Sequence, residues 1–183
     1  MAVFEMKFES KSVMRVRQSG NCVSGLRISG ATRRIMQMRT PCDVIINVGS
    51  VDIAEGRQLI EMIEDFHRLL TACRMKDISP ILTTLAPLPG HMLGNKHETW
   101  RGFNDFIRLN LSEHFSIIDI HKAMIRPDGV TDYNMYQAEP RFISGSCQPF
   151  VMWNKQGRTR VNNMLMKNLG LTMIYDNYVG EFI

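Results

Sequence analysis

Cys22 is the side chain in this sequence best suited to nucleophilic chemistry, because a thiolate forms with less help than an alkoxide. It would need a base within hydrogen-bond reach and donors aimed at a developing oxyanion. His91 and His97, which follow the apolar run Ile81–Leu85, are the histidines placed to supply that base. His67, His114 and His121 fall on a helix face or near strand ends and read as structural. The opposing reading makes Cys22 a small buried residue and leaves His91 and His97 on a loop surface; geometry decides between the two. Neither the five histidines nor the four cysteines (Cys22, Cys42, Cys73, Cys147) show the spacing of a metal site, and the irregular cysteines also argue against a disulfide framework. No metal and no cofactor is expected.

A second chemistry is written in the charges. From Ser10 to Cys42 the chain carries Lys11, Arg15, Arg17, Arg27, Arg33, Arg34 and Arg39 and no acidic residue. From Arg141 to Gly170 it carries Arg141, Lys155, Arg158, Arg160 and Lys167, again with no acid. The net charge is only +4 because the stretch between them is acidic in balance. Clustered cations of this kind suit a polyanion, whose phosphates release counterions on binding; the alternative is two solvated helix faces. Arginine predominates, and its planar guanidinium fits phosphate forks and base stacking. Trp153, close to Lys155, is either a stacking surface or a core anchor. Neither basic segment has the apolar face of an interfacial helix, so no membrane contact is expected.

These residues need a frame to hold them. Val44–Val48, Ile81–Leu85 and Ser116–Ile120 read as short buried strands, with Val13–Arg17 as a first strand. Arg57–Arg74, Lys96–Ser112 and Gln156–Leu169 repeat apolar residues at helical spacing, and Ala31–Met38 reads as a further helix. The alternation predicts a three-layer α/β/α sandwich with a parallel sheet, a single domain over residues 1–183. Ligands on such sheets sit at the carboxyl ends of the strands, here Ser19–Arg27, Gly49–Gly56, Ala86–Asn95 and the segment before the last helix. In a doubly wound order 2-1-3-4-5 the first and last helices share a face. Arg27, Arg33, Arg34 and Arg39 would then join Lys155, Arg158 and Arg160 in one composite patch.

The irregular stretch Arg126–Asn154 is too long for a plain connection. Its Tyr133, Tyr136, Phe142 and Phe150 are the anchors protein interfaces use, which makes an interaction scaffold a third reading. No apolar run approaches the ~18 residues a membrane helix needs, and the first residues do not read as a signal peptide. A soluble, cytoplasmic domain with reduced thiols is expected. The fourteen methionines suit a forgiving core or an adaptable surface.

Three of the loops carry a family resemblance. Asp43-Val-Ile-Ile-Asn-Val-Gly-Ser-Val-Asp52 resembles the strand and Gly-x-Asn-Asp block of the SGNH (GDSL-type) hydrolases. Gly25-Leu-Arg-Ile-Ser-Gly-Ala-Thr32 resembles their second block, and Met152-Trp-Asn-Lys-Gln-Gly157 their final His-x-Asn-x-x-Gly. The resemblance runs from about Val13 to Leu169 and implies a flavodoxin-like fold. It also assigns the catalytic positions, and most of them depart from the pattern. The nucleophile block reads Gly20-Asn21-Cys22; the oxyanion glycine is kept as Gly30; the oxyanion asparagine is Val51; the base is Met152; its orienting aspartate is Pro149. Methionine cannot take the proton, and one lost oxyanion donor alone costs ~10²–10³ in rate. The expectation is a pseudohydrolase, not an enzyme, with a divergent Cys22 esterase as the alternative.

Within that group, Gly20-Asn-Cys22, Gly49-Ser-Val-Asp52 and the methionine in place of histidine resemble the OSK domains of Oskar proteins. This resemblance implies an RNA-binding domain of germ-plasm assembly, with maternal germ-line mRNA and germ-granule proteins as partners and the cytoplasm (germ plasm) as its location. Oskar proteins also carry a LOTUS domain, to which nothing here corresponds. The choice of RNA over DNA rests on this resemblance.

Overall fold

The computed structural model describes residues 2–7, 17–22, 26–39, 43–88, 96–142 and 149–170, the first two runs as backbone alone. Five strands form one sheet: β1 (Ala2–Lys7), β2 (Arg17–Cys22), β3 (Asp43–Ile46), β4 (Ser79–Thr83) and β5 (Ser116–Ile118). Their order is β2-β1-β3-β4-β5. β3, β4 and β5 are parallel, as expected, but β1 runs antiparallel to both its neighbours. The strand expected at Val13–Arg17 begins instead at Arg17, and residues 13–16 lie outside the described ones. The short link from Lys7 to Arg17 suits an antiparallel pair, because a parallel crossover needs about a dozen residues or more. Two antiparallel steps return β2 to the direction of β3. Its last residue, Cys22, therefore reaches the same edge as Ile46: Ala2 pairs with Cys22, and Val3 with both Asn21 and Ile46.

Among the described residues six α-helices surround the sheet: α1 (Ile28–Gln37), α2 (Ser50–Ala54), α3 (Leu59–Met75), α4 (His97–Asp105), α5 (Ile120–Ala123) and α6 (Lys155–Asn168). A π-helical turn, Phe106–Asn110, extends α4. Side-chain alternation along the strands sorts these helices into two layers. Val44, Ile46 and Leu82 join a core with Ile28, Ala31 and Ile35 of α1, Met62, Phe66 and Leu69 of α3, and Phe103 of α4. Ile45 and Ile118 face the other way, onto Ile120 and Ala123 of α5 and Val161 and Leu165 of α6. The three-layer α/β/α sandwich is thus as expected.

The first and last helices, however, do not share a face. From β2 to β3, β4 and β5 the chain steps across the sheet in one direction, and right-handed crossovers then put α1, α3 and α4 on one side. α6 closes the opposite side. The expected order would have reversed direction after the first strand and sent α1 to the face of α6.

The long segment before α6 is tied down by β-bridges Ile125↔Thr131, Tyr136↔Trp153 and Arg141↔Phe150. Tyr136 and Phe150 are buried, whereas Tyr133 and Phe142 stand out in solvent. The Tyr136 hydroxyl donates to the Pro87 carbonyl at 2.7 Å, which fastens this segment to the exit of β4. No helix among the described residues is long and apolar enough to cross a membrane.

Candidate functional site

The carboxyl edge of the sheet begins at Gly49, whose φ of 121° lies in a region other residues rarely adopt. A Cβ there would also come within 2.8 Å of the Phe103 ring. This turn starts α2 and buries Asp52 completely. Asp52 Oδ2 accepts the Ile28 amide at 3.1 Å, and Oδ1 accepts Arg57 Nη1 at 3.1 Å. Arg57 also pairs with Asp65. Burial outweighs these bonds and pushes the Asp52 carboxyl above its ordinary range. Asp52 thus satisfies the first amide of α1, which has no partner within the helix.

Val51 and Met152, which the family pattern assigns to the oxyanion hole and the base, do come together. They meet in an apolar cluster with Ala54, Phe150 and Leu88, Val51 being only 2% exposed. Pro149 precedes Phe150 in the chain and is half-buried. Gly30 sits in the first turn of α1, where a Cβ would press on Leu26 at 2.6 Å. Cys22 ends β2, separated from β3 by the whole of β1, two strand spacings or about 10 Å. The Cys22 side chain and His91 lie outside the described residues. His97 is exposed at the start of α4, its ring 5.4 Å from that of Trp100.

The family positions that are kept serve the fold. Asn154 caps α6 by accepting the Gly157 amide at 3.0 Å, and its Nδ2 donates to the carbonyls of Asn134 and Tyr136. Gly157 is buried against the Met135 carbonyl, with which any Cβ would collide. Among the described residues, no group of histidine, cysteine and carboxylate side chains could hold a metal.

The basic residues form two surfaces, which corrects the single composite patch. On α1, Arg33 and Arg34 are exposed, with Arg39 just beyond the helix, and no acidic side chain pairs with them among the described residues. Arg27, at the N-cap of α1, is bridged to Glu55. On the opposite side of the sheet, Lys155 and Arg158 are exposed on the first turn of α6. Arg158 Nη1 donates to the Trp153 carbonyl at 2.9 Å. Arg160 bridges Asp132 at 2.9 Å and also reaches the Ala123 carbonyl. The fields of Arg27 and Arg160 are thus partly offset by acids from distant segments. Trp153 packs against the α5–α6 core, which favours the anchor reading over stacking.

One feature was not singled out in the sequence. Arg108, His121, Lys122 and Arg126 line an open depression of about 530 Å³ beside α5. Its cations are matched: Arg108 bonds Asp119 at 3.0 Å, Lys122 lies 3.7 Å from Asp119, and Arg126 pairs with Asp128. Burial, assisted by Arg108, lowers the affinity of His121 for a proton. The depression has little net field for an anion. The i,i+3 spacing of Asp119 and Lys122 is the signal in the sequence that announces this pairing.

Comparison with known proteins agrees with this architecture. The family model of the OSK domain matches residues 1–170. The chain is 40% identical over 174 residues to the maternal effect protein oskar of Drosophila melanogaster, an alignment covering 92% of this chain and 28% of that protein. It spans less than a third of the length of the curated relatives it matches. The crystal structure of the OSK domain of Drosophila Oskar superposes with a TM-score of 0.75 at 38% identity, covering 89% of this chain and 78% of that one. A member of the lipolytic G-D-S-L family from Veillonella parvula shares the fold, with a TM-score of 0.62 at 16% identity over 78% of this chain and 74% of its own. With the SGNH/GDSL hydrolase fold and a family model that matches residues 1–170, this chain belongs to the OSK domain family.

Proposed function

We propose that this chain is a non-catalytic RNA-binding domain that holds the phosphate backbone through exposed arginines. The observation that carries the reading is the set Arg33, Arg34 and Arg39, solvent-facing and without acidic partners among the described residues. Unpaired guanidiniums keep their full charge for phosphate, and their planar forks suit its oxygens. Non-catalysis is supported by Val51 and Met152, which bring neither a donor nor a base and are packed against Phe150. The name of its relative, maternal effect protein oskar, supports a developmental role; maternal mRNA and germ-granule proteins in the cytoplasm are the partners this reading proposes. Double charge reversal at Arg33 and Arg34 is the test: RNA affinity should fall at least about tenfold in a domain that still folds, since each lost phosphate contact carries counterion release with it. Unchanged affinity would contradict the assignment.

A second reading is favoured by Tyr133 and Phe142, which are 58% and 75% exposed on the bridged segment. Aromatic side chains held in solvent suit a protein contact. A folded domain with neither RNA affinity nor ester hydrolysis would support it.

A further inference from the structure

The sheet separates two cationic surfaces that no acidic residue of their own helices neutralises. Arg33 and Arg34 project from α1, which belongs to the core on one face together with α3 and α4. Lys155 and Arg158 project from α6, which belongs to the core on the other face with α5. A helix is about 10–12 Å across and a sheet layer about 10 Å, so the outward sides of α1 and α6 are on the order of 30 Å apart through the protein. A stacked strand advances about 3.4 Å per nucleotide, so a stretch of six to eight nucleotides lying on one surface does not reach the other.

We infer that the domain is bivalent for RNA: the α1 surface and the α6 surface each hold a separate stretch of phosphate backbone, so that one chain bridges two strands. This rests on the RNA-binding reading above and goes further in the number and placement of the sites. The two surfaces are not equal. On α1 the free cations are arginines without a hydrogen bond or ion pair among the described residues, whereas Arg158 already donates to the Trp153 carbonyl and the neighbouring Arg160 is bridged to Asp132. The α6 site is therefore the weaker, and it depends more on the point charge of Lys155 at the helix start. Affinity measured for one RNA reports mainly α1; bridging needs both.

Co-capture tests this directly. A biotinylated oligouridylate of about eight nucleotides (about 27 Å at about 3.4 Å per nucleotide, too short to reach both surfaces) is fixed to a support, loaded with the full 183-residue chain, and offered a second, fluorescent copy. Light scattering on the same preparation establishes that the protein is monomeric. The expected result is capture of the fluorescent strand by the wild type. An Arg33→Glu, Arg34→Glu variant and a Lys155→Glu, Arg158→Glu variant each still bind one RNA but lose most of the second-strand signal. Binding of the first RNA with no second-strand capture by monomeric protein would overturn bivalency and leave the RNA-binding reading standing. Complete loss of RNA binding in the α6 variant alone would also overturn it, by placing a single site there. No RNA binding by folded wild-type protein would overturn both.

Discussion

Asp52 and Ile28, separated by 24 residues, are joined by a 3.1 Å bond from the Ile28 amide to the Asp52 carboxylate. That bond fastens the start of α1, the helix that presents Arg33 and Arg34, to the loop whose hydrolase counterpart would hold the oxyanion asparagine. A loop that resembles catalytic equipment has become a bracket for a cationic helix.

Burial holds the Asp52 carboxyl above its usual range, against the pull of the Ile28 amide and Arg57. Asp52→Asn keeps one acceptor oxygen for Ile28 but turns an NH2 toward Arg57, and should cost about 1 kcal/mol. Asp52→Ala leaves the amide unsatisfied and Arg57 short of a partner, and should cost about 2–3 kcal/mol. Urea unfolding of the two variants checks the contrast, which fails if both cost the same.

Gly157→Ala separates helix propensity from packing. Alanine inside an exposed helix would stabilise by about 1 kcal/mol over glycine, but here its Cβ meets the Met135 carbonyl. The expected outcome is a net loss of about 1–3 kcal/mol, read from the shift of the unfolding midpoint.

Stability should fall on the acid side in two stages. Burial and Arg108 hold the His121 proton affinity below the ordinary histidine value, with Asp119 and Asp105 opposing them. Its contribution is present above about pH 6.5, the unfolded value, and is lost as pH falls toward the folded one. Asp65 is buried and Asp119 half-buried, yet their arginine partners keep both below the usual carboxylate range. Their contribution is complete above about pH 4 and is lost as pH falls further. Thermal melts of His121→Gln should lose the first stage and keep the second.

Restoring the family's residues should not restore chemistry. Val51→Asn with Met152→His places two polar groups in the cluster of Ala54, Phe150 and Leu88. It should cost about 1–3 kcal/mol for each polar group left unpaired and leave ester hydrolysis at background. Wild type and Cys22→Ala should show the same background with activated esters; an acylation burst that vanishes in Cys22→Ala would revive the esterase.

Much of this arrangement was readable in the residues themselves. Val44, Ile45 and Ile46 announce a strand buried on both faces, and the stripe in α3 announces its packing. The block Gly49–Asp52 and the run Met152–Gly157 marked a turn and a helix start, because their glycines and Asn154 are held by local geometry. The face of α1 was not readable. It follows from β1 standing between β2 and β3, and the short stretch Ala2–Lys7, with Glu5 and Lys7 among its six residues, is not marked as a central strand. The ion pairs of Arg27 with Glu55 and Arg160 with Asp132 were equally hidden, since their partners lie 28 residues away. Absence of acids within a segment says nothing about acids that folding brings to it.

Anisotropy of a labelled RNA of about 20 nucleotides, titrated with this domain across a series of salt concentrations, tests the central claim most directly. The account predicts saturable binding, with log K falling linearly in log salt by about 0.7 for each phosphate contact, and a shallower slope in the Arg33→Glu, Arg34→Glu variant. Flat anisotropy on folded protein, or affinity indifferent to salt, would contradict it.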